Sequence, residues 1–137
     1  MLRLAVLLLL CFTLPLRAGQ IEARIDISNQ DMTVLLDGEP VYLWPISTAR
    51  PGKFTPLGLF SVQSMQRMHY STLYNNAPMP WSIFFSGNFA IHGTNQTDHL
   101  GTPDSAGCIR LHPDDAEILY HLVLDHGRAN TLIHILR

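Results

Sequence analysis

One histidine and one cysteine in the second half of the chain have neighbours suited to nucleophilic chemistry. His92 ends a short apolar run, and Cys108 follows a loop rich in Gly, Pro, Thr and Asp. A cysteine attacks as its thiolate, so either the pKa of the thiol must fall or a nearby base must take the proton. His92 is the candidate base, because a strand end would hold its imidazole in place. The sequence therefore predicts a cysteine–histidine pair.

The residues around Cys108 supply further candidate groups. Small residues precede it, at 105–107, so successive backbone N–H groups can point into one concavity, the form of an oxyanion hole. A plain turn before a helix is the alternative. Arg110 is placed to pair with a substrate carboxylate or to hold the thiolate charge, although an ordinary surface ion pair explains an arginine equally well.

A metal site is the competing chemistry. Zinc ligands are available in principle from His92, His99, Cys108 and His112. Their spacing matches no short ligand pair such as Cys-x-x-Cys, and one loop would have to supply most of the set. The sequence therefore favours a site without metal.

The first residues have the pattern of a secretory signal peptide. A positive start at residues 1–3 precedes an apolar block, Leu4 to Leu16, of about 13 residues, and Ala18 offers a small residue for cleavage. This block is short of the roughly 20 residues that span a bilayer as a helix. We expect a signal peptide at 1–18, one domain at 19–137, and export to the periplasm or cell envelope. A retained anchor is the alternative, and Leu10 before Cys11 disfavours a lipoprotein signal.

Charge and cysteine usage narrow the function classes. The net charge of −2 and the lack of a basic stripe exclude a nucleic-acid-binding surface. Of the two cysteines, Cys11 would leave with the signal peptide, so the exported domain carries one unpaired thiol. Such a thiol is either buried and inert or reactive, and the neighbours of Cys108 favour a reactive one.

Hydrophobic periodicity predicts a mainly β fold with one main helix after the cysteine. Asp37-Gly38 is a hairpin signal, and Pro113 and Gly127 bracket an amphipathic helix. Alternating or apolar runs predict strands at 21–28, 32–36, 41–44, 57–65, 81–85, 89–91 and 131–135, with loops at 45–56 and 68–80.

Several spaced motifs resemble one known family. The segment Ser47–Phe60 is similar to the pattern S-T-G-x-P-x-x-x-T-P-x-G-x-F, with Ala49 where glycine is usual. Three further segments follow in the family's order: Pro78–Trp81, Ile91–Thr94 and Ser105–Leu111. The chain resembles the L,D-transpeptidase catalytic domain of bacterial cell-wall enzymes over most of residues 19–137. The resemblance implies the β-sandwich or barrel-like fold of that family.

The resemblance also implies roles for individual residues. Cys108 would be the nucleophile and His92 the general base. The oxyanion hole would use the N–H groups of Ala106, Gly107 and Cys108. The family pattern usually has a histidine at the position of Ala106. His99 or His112 could take the place of that missing imidazole. The candidate substrate-binding residues are Arg110, Ser105, Gly93, Trp81 and Tyr70.

The implied reaction is acyl transfer on peptidoglycan stem peptides, with a thioester at Cys108 and release of D-alanine. An amine of another stem would give a wall cross-link that supports cell shape, a lipoprotein lysine would give an anchored protein, and water would give a carboxypeptidase. No metal or other cofactor is implied, and carbapenem-type inhibitors are expected to bind. The loop from Met68 to Trp81 would form a lid. The alternative is a catalytically impaired periplasmic domain that binds peptidoglycan.

Overall fold

The computed structural model describes residues 19–137. The predicted signal peptide, residues 1–18, lies outside this range, and its cleavage stays a prediction. Strands outweigh helix in the described chain, as the sequence predicts. The strands are β1 (Ile21–Asp26), β2 (Asp31–Leu36), β3 (Glu39–Pro45), β4 (Gly58–Ser61), β5 (Ser64–Tyr70), β6 (Pro78–Ser86), β7 (Phe89–Gly93), β8 (Ile109–Leu111) and β9 (Thr131–Leu136); the helix is α1 (Pro113–His126), and two short 3₁₀ turns cover Thr97–His99 and Arg128–Asn130.

The strands form two sheets. Sheet A has the order β3-β2-β1-β9-β4, and sheet B has the order β5-β6-β7-β8. Two pairs are parallel: β1 with β9, and β7 with β8. The other paired strands are antiparallel. Both parallel pairs join segments that are distant in sequence. Of the predicted catalytic residues, His92 lies within β7 and Cys108 directly precedes β8.

Local sequence explains how the elements begin and end. Asp37 and Gly38 both have positive φ, 50° and 82°, as a tight turn between two antiparallel strands requires. At the start of α1, His112 Nδ1 accepts the Asp114 N–H at 3.2 Å and Pro113 occupies the first turn. Gly127, with φ 95°, ends the helix. The predicted hairpin and helix are therefore confirmed.

The core lies between the two sheets and α1. Along β7 and β8, Ile91, Ile109 and Leu111 point into this core and are at most 1% exposed. Because side chains alternate along a strand, the residues between them project to the opposite face of sheet B. That face forms the wall of a cleft. The largest fully buried side chains elsewhere are Ile21, Ile25, Met32, Ile46, Ile83, Phe85, Leu119, Ile133 and Ile135.

Two predicted elements differ from the structure. The single strand predicted at 57–65 is two strands in different sheets, and the chain crosses between the sheets at Val62-Gln63. The loop predicted at 68–80 is shorter, residues 71–77, because β5 and β6 continue to pair through Tyr70 and Pro78. The prolines at 78 and 80 are tolerated there because this part of β6 extends past β7 and pairs only with β5.

Across residues 19–137, the structure has no helix with the length and apolar character needed to cross a membrane.

Candidate active site

The paired strands β7 and β8 bring Cys108, His92 and Arg110 to one cleft. His92 lies opposite Arg110 in the parallel register, and Cys108 directly precedes β8. Alternation along β8 places Cys108 and Arg110 on the same face, which is also the face from which His92 projects. All three residues line a cavity of about 490 Å³, together with Ser105 and Ala106.

The surroundings of His92 fix its tautomer. Its Nδ1 lies 2.7 Å from the carbonyl oxygen of Gly93, which can only accept, so Nδ1 carries the proton and donates. Nε2 is then unprotonated and can accept a proton. Burial lowers the pKa of His92 to about 4, with smaller contributions in the same direction from the charges of Arg110 and His69. The imidazole is therefore neutral at neutral pH, the form a general base needs.

Cys108 is half-buried against Met79, Phe84 and Ala90. Its Sγ lies 3.6 Å from the carbonyl oxygen of Asn88. Burial raises the pKa of the Cys108 thiol, although a main-chain hydrogen bond from Ala90 and the charge of Arg110 act in the opposite direction. The resting pair is thus a neutral thiol and a neutral imidazole. Of the two routes to a nucleophile, the structure favours removal of the proton by a base over a permanently ionised thiolate.

The loop before Cys108 is closed by the hydroxyl group of Ser105. Ser105 Oγ donates to the carbonyl of Cys108 at 2.6 Å and accepts the N–H of Gly107 at 3.0 Å. Of the three predicted oxyanion donors, the Gly107 N–H is therefore already engaged. The structure gives the N–H groups of Ala106 and Cys108 no hydrogen-bond partner within residues 19–137. These two donors remain available to a developing oxyanion.

A second hydroxyl group, from Thr55, supports the same loop from outside. Thr55 Oγ1 donates to the carbonyl of Gly107 at 2.8 Å and accepts the N–H of Ala49 at 3.1 Å. Gly107 itself has φ 139°, and an added Cβ would lie 2.6 Å from Cε1 of Phe89. Glycine is therefore required here for both its backbone conformation and its close packing. Thr55 of the Ser47–Phe60 motif and Gly107 of the Ser105–Leu111 motif therefore act together to shape the loop before Cys108.

The segment 47–50 extends this support along the whole loop. The carbonyl of Thr48 accepts the N–H groups of Asp104 and Ser105 at 3.0 and 2.9 Å, and Arg50 N–H donates to the carbonyl of Ser105 at 2.8 Å. Thr48 is in turn bonded to the buried amide of Gln30 through its N–H and its hydroxyl group. The loop before Cys108, residues 104–107, is consequently connected through Thr48 to the turn between β1 and β2 of sheet A. We call these residues the nucleophile loop, after the role predicted for Cys108.

Arg110 is held by groups at one end of the cleft. Its Nη1 donates to Oδ2 of Asp104 at 3.1 Å and to Oε1 of Gln96 at 3.2 Å. The same Asp104 oxygen lies 2.6 Å from Nδ1 of His99. Asp104, and hence this arrangement, was not among the residues predicted from the sequence. An aspartate in a Gly- and Pro-rich loop gives no signal of its partner until the strands are paired.

The shortened loop also contributes to the lining of the cleft. Residues 71–77 line the cavity with Leu73 and Tyr74, whose side chains are 61% and 47% exposed. Ser71 Oγ accepts the N–H groups of Leu73 and Tyr74, which shapes the loop internally. The segment predicted as a lid, Met68–Trp81, therefore has only seven residues outside β5 and β6. Further lining residues that the sequence did not single out are Arg50, His69, Met79, Phe84, Asn88, Phe89, Thr94, Asn95 and Gln96.

Three predicted substrate-binding residues do not line the cleft. Trp81 packs against Tyr120 and His121 of α1, with ring centroids 5.3 and 5.5 Å apart. Tyr70 is exposed outside the cavity. Gly93 instead orients His92 through its carbonyl group, and an added Cβ would lie 3.0 Å from Cα of Pro113. The predicted Pro-Met-Pro-Trp motif thus sends Met79, not Trp81, into the cleft.

Apart from His92, the histidines weighed as metal ligands or substitutes do not line the cleft. His99 is bonded to Asp104, and His112 caps α1; neither lines the cavity. Among the described residues, no group of three or more His, Cys, Asp or Glu side chains is arranged to hold a metal ion.

A thiol, a neutral imidazole and main-chain N–H groups line one cleft, a combination typical of sites at which a cysteine carries out acyl transfer. The family itself is identified by a match over most of the chain. The family model of the L,D-transpeptidase catalytic domain matches residues 21–135, and this chain belongs to that family.

Individual relatives agree with this assignment. The chain is 28% identical over 109 residues to Bacillus subtilis YkuD, a protein whose name assigns it to the L,D-transpeptidases; the match covers 77% of this chain and 62% of YkuD. The fold is similar to an L,D-transpeptidase of Mycobacterium smegmatis, with TM-score 0.78, 22% identity, and coverage of 87% of this chain and 59% of that one.

A second similar structure carries an adduct. It is L,D-transpeptidase 3 of Mycobacterium tuberculosis in complex with a faropenem-derived adduct, with TM-score 0.74, 20% identity, and coverage of 87% and 61%. The chain spans less than two thirds of the length of each of these three proteins.

Proposed function

We propose that this protein is an L,D-transpeptidase that uses Cys108 for acyl transfer between peptidoglycan stem peptides. The observation that carries the proposal is the cleft lined by both Cys108, which directly precedes β8, and a neutral His92 from the adjacent β7. Its other supports are membership of the L,D-transpeptidase family and the two free N–H groups beside the sulfur. A cofactor is not part of the proposal, because a cysteine nucleophile and a histidine base suffice for acyl transfer.

The proposed reaction has two halves. In the first, His92 Nε2 takes the Cys108 proton while Sγ attacks the carbonyl carbon of the third stem residue. The N–H groups of Ala106 and Cys108 stabilise the oxyanion. The C–N bond to the terminal D-alanine then breaks, and the leaving amine takes the proton from His92. A thioester at Cys108 and free D-alanine result.

In the second half, an amine from another stem peptide attacks the thioester. His92 removes a proton from this amine, the C–S bond breaks, and the proton returns to the cysteine sulfur. The cross-link joins two stems and Cys108 is regenerated. A lipoprotein lysine would enter by the same step and give an anchored protein, whereas water would give a carboxypeptidase. The short lid with Leu73 and Tyr74 provides an apolar cover that favours transfer over hydrolysis.

Mass analysis of muropeptides tests the proposal. The protein and a Cys108→Ala variant are incubated with purified tetrapeptide muropeptides, with Met68→Ala as a control for an exposed residue outside the cleft. We expect loss of D-alanine and joined stems with the protein and the control, and neither product with Cys108→Ala. Loss of D-alanine alone identifies a carboxypeptidase. The absence of any Cys108-dependent product overturns the enzyme proposal and leaves a binding domain.

Two further parts of the proposal concern inhibition and location. A faropenem-derived adduct is present in the Mycobacterium tuberculosis relative, and we expect a carbapenem to acylate Cys108 in this protein, as a mass increase absent from Cys108→Ala. We also propose export through residues 1–18 to the periplasm or cell envelope. Sequencing of the protein recovered from the envelope should give an N-terminus near Gly19, and a start at Met1 would contradict cleavage.

A further inference from the structure

Arg110 lines the cleft with Cys108 and His92, and its guanidinium is already bonded to other side chains. Its side chain is only 20% exposed, and its Nη1 is shared between Asp104 and Gln96. Asp104 is itself fixed, since its N–H donates to Ser47 Oγ and to the carbonyl of Thr48. The carboxylate therefore has a defined position, and the guanidinium takes its position from it.

The charge of Arg110 acts on both predicted catalytic residues. It lowers the pKa of both His92 and Cys108. Asp104 carries the opposite charge and lies 3.1 Å from the Arg110 guanidinium, so it reduces the positive potential that Arg110 presents to the cleft. A guanidinium bonded in this way is also less available to a substrate carboxylate than a solvated one, which changes the role expected for Arg110.

His99 supports Asp104 from the other side. The hydrogen bond that His99 donates to Asp104 raises the pKa of His99, and the charges of Asp104 and Asp98 also raise it, whereas the charge of Arg110 lowers it. Hydrogen bonding from His99 lowers the pKa of Asp104, and Arg110 contributes in the same direction. Asp104 is thus kept ionised, with two partners on one oxygen.

We propose that Asp104 is a positioning residue of this site, which fixes the Arg110 guanidinium at the wall of the cleft and offsets its charge at Cys108. The proposal rests on the proposed function for its catalytic meaning. Its electrostatic content depends only on the geometry. By this assignment, Arg110 tunes the reacting pair instead of serving chiefly as the anchor of a substrate carboxylate.

Alkylation of Cys108 by two reagents tests the proposal without turnover. Iodoacetate carries a negative charge and iodoacetamide is neutral, and both react with the same thiolate. The ratio of their rates therefore cancels the thiolate fraction and reports the potential that the approaching carboxylate meets. Asp104→Asn keeps an oxygen that can accept from Arg110 while removing the charge, and Asp98→Asn is the matched control.

Asp98 is a suitable control because it lies in the same loop but is 83% exposed, and its contact with His99 is 3.7 Å. We expect Asp104→Asn to raise the iodoacetate-to-iodoacetamide ratio roughly two- to five-fold at low salt, and Asp98→Asn to change it much less. Arg110→Gln should lower the ratio, since it leaves Asp104 unopposed. This second variant keeps the test decisive if Asp104→Asn folds poorly.

Two outcomes overturn the proposal: an equal ratio in Asp104→Asn and Asp98→Asn, or an unchanged ratio in Arg110→Gln. A merely structural role of Asp104 would alter both alkylation rates together and leave their ratio constant. If the alkylation ratios change as expected but the muropeptide reaction fails, only the proposed function is refuted. Turnover with unchanged ratios would refute the role of Asp104 alone.

Discussion

Replacement of Ser105 by alanine should weaken both the fold and the reaction. The hydroxyl group is almost fully buried, at 1% exposure of the residue, and makes two hydrogen bonds within the nucleophile loop. Alanine keeps the shape of the loop but leaves the Gly107 N–H and the Cys108 carbonyl without this partner. No other side chain of the described residues is bonded to the Gly107 N–H.

The size of the effect follows from these two bonds. A buried donor without a partner costs about 1–3 kcal/mol, and a carbonyl costs less because it has a second lone pair. We therefore expect Ser105→Ala to lower the free energy of unfolding by about 2 kcal/mol, which is roughly a 30-fold change in the ratio of folded to unfolded protein. Turnover should fall at least about ten-fold, because the loop holds the two free N–H donors.

Urea unfolding and muropeptide turnover measure the two effects. Thr102→Ala is a matched control, since its hydroxyl group also donates to a carbonyl, that of His99 at 2.7 Å, but at an exposed position outside the cleft. We expect the control to change stability by less than about 0.5 kcal/mol and to leave turnover unaltered. If Ser105→Ala unfolds and turns over like the control, the loop does not depend on this hydroxyl group.

Two other predictions concern His92 and Trp81. Because burial lowers the pKa of His92 to about 4, turnover should stay level from pH 7 to about pH 5 and then fall; a decline centred near pH 6.5 would contradict a buried neutral base. The unfolded chain binds this proton more tightly, so the unfolding free energy should also decrease as the pH drops from about 6.5 towards 4, and less so in His92→Gln. Trp81→Ala should lower stability by about 2 kcal/mol, because the indole packs on α1, while Cys108 alkylation stays unchanged; a raised KM at full stability would instead place Trp81 against substrate.

The sequence was sufficient for features that depend on local patterns. Alternation predicted β1, the Asp37-Gly38 pair predicted the hairpin of β2 with β3, and Pro113 and Gly127 bracketed α1. The order of the spaced motifs also indicated the family, which the family model confirms. In each case, the signal and the structure it describes lie within a few residues of one another.

Features that depend on pairing across the chain were not predictable from one sequence. Nothing near Asp104 indicates that strand pairing will place Arg110 beside it, and nothing near Thr55 indicates its bond to Gly107. Trp81 was predicted to bind substrate from its motif, whereas alternation along β6 places it on the core face with Ile83 and Phe85. The roles assigned to Cys108 and His92 stay predictions, although the structure gives them a common cleft.

The pairing of β1 with β9 has a consequence for how the domain forms. Strand β9 lies in sheet A between β1 and β4, with Ile21 opposite Thr131. Sheet A therefore cannot be completed until the final strand of the domain has been synthesised. Contacts of such long sequence separation slow folding, because the entropy of closing the chain is lost before the contact is gained. A nascent chain that stops short of β9 should therefore leave sheet A open and protease-sensitive.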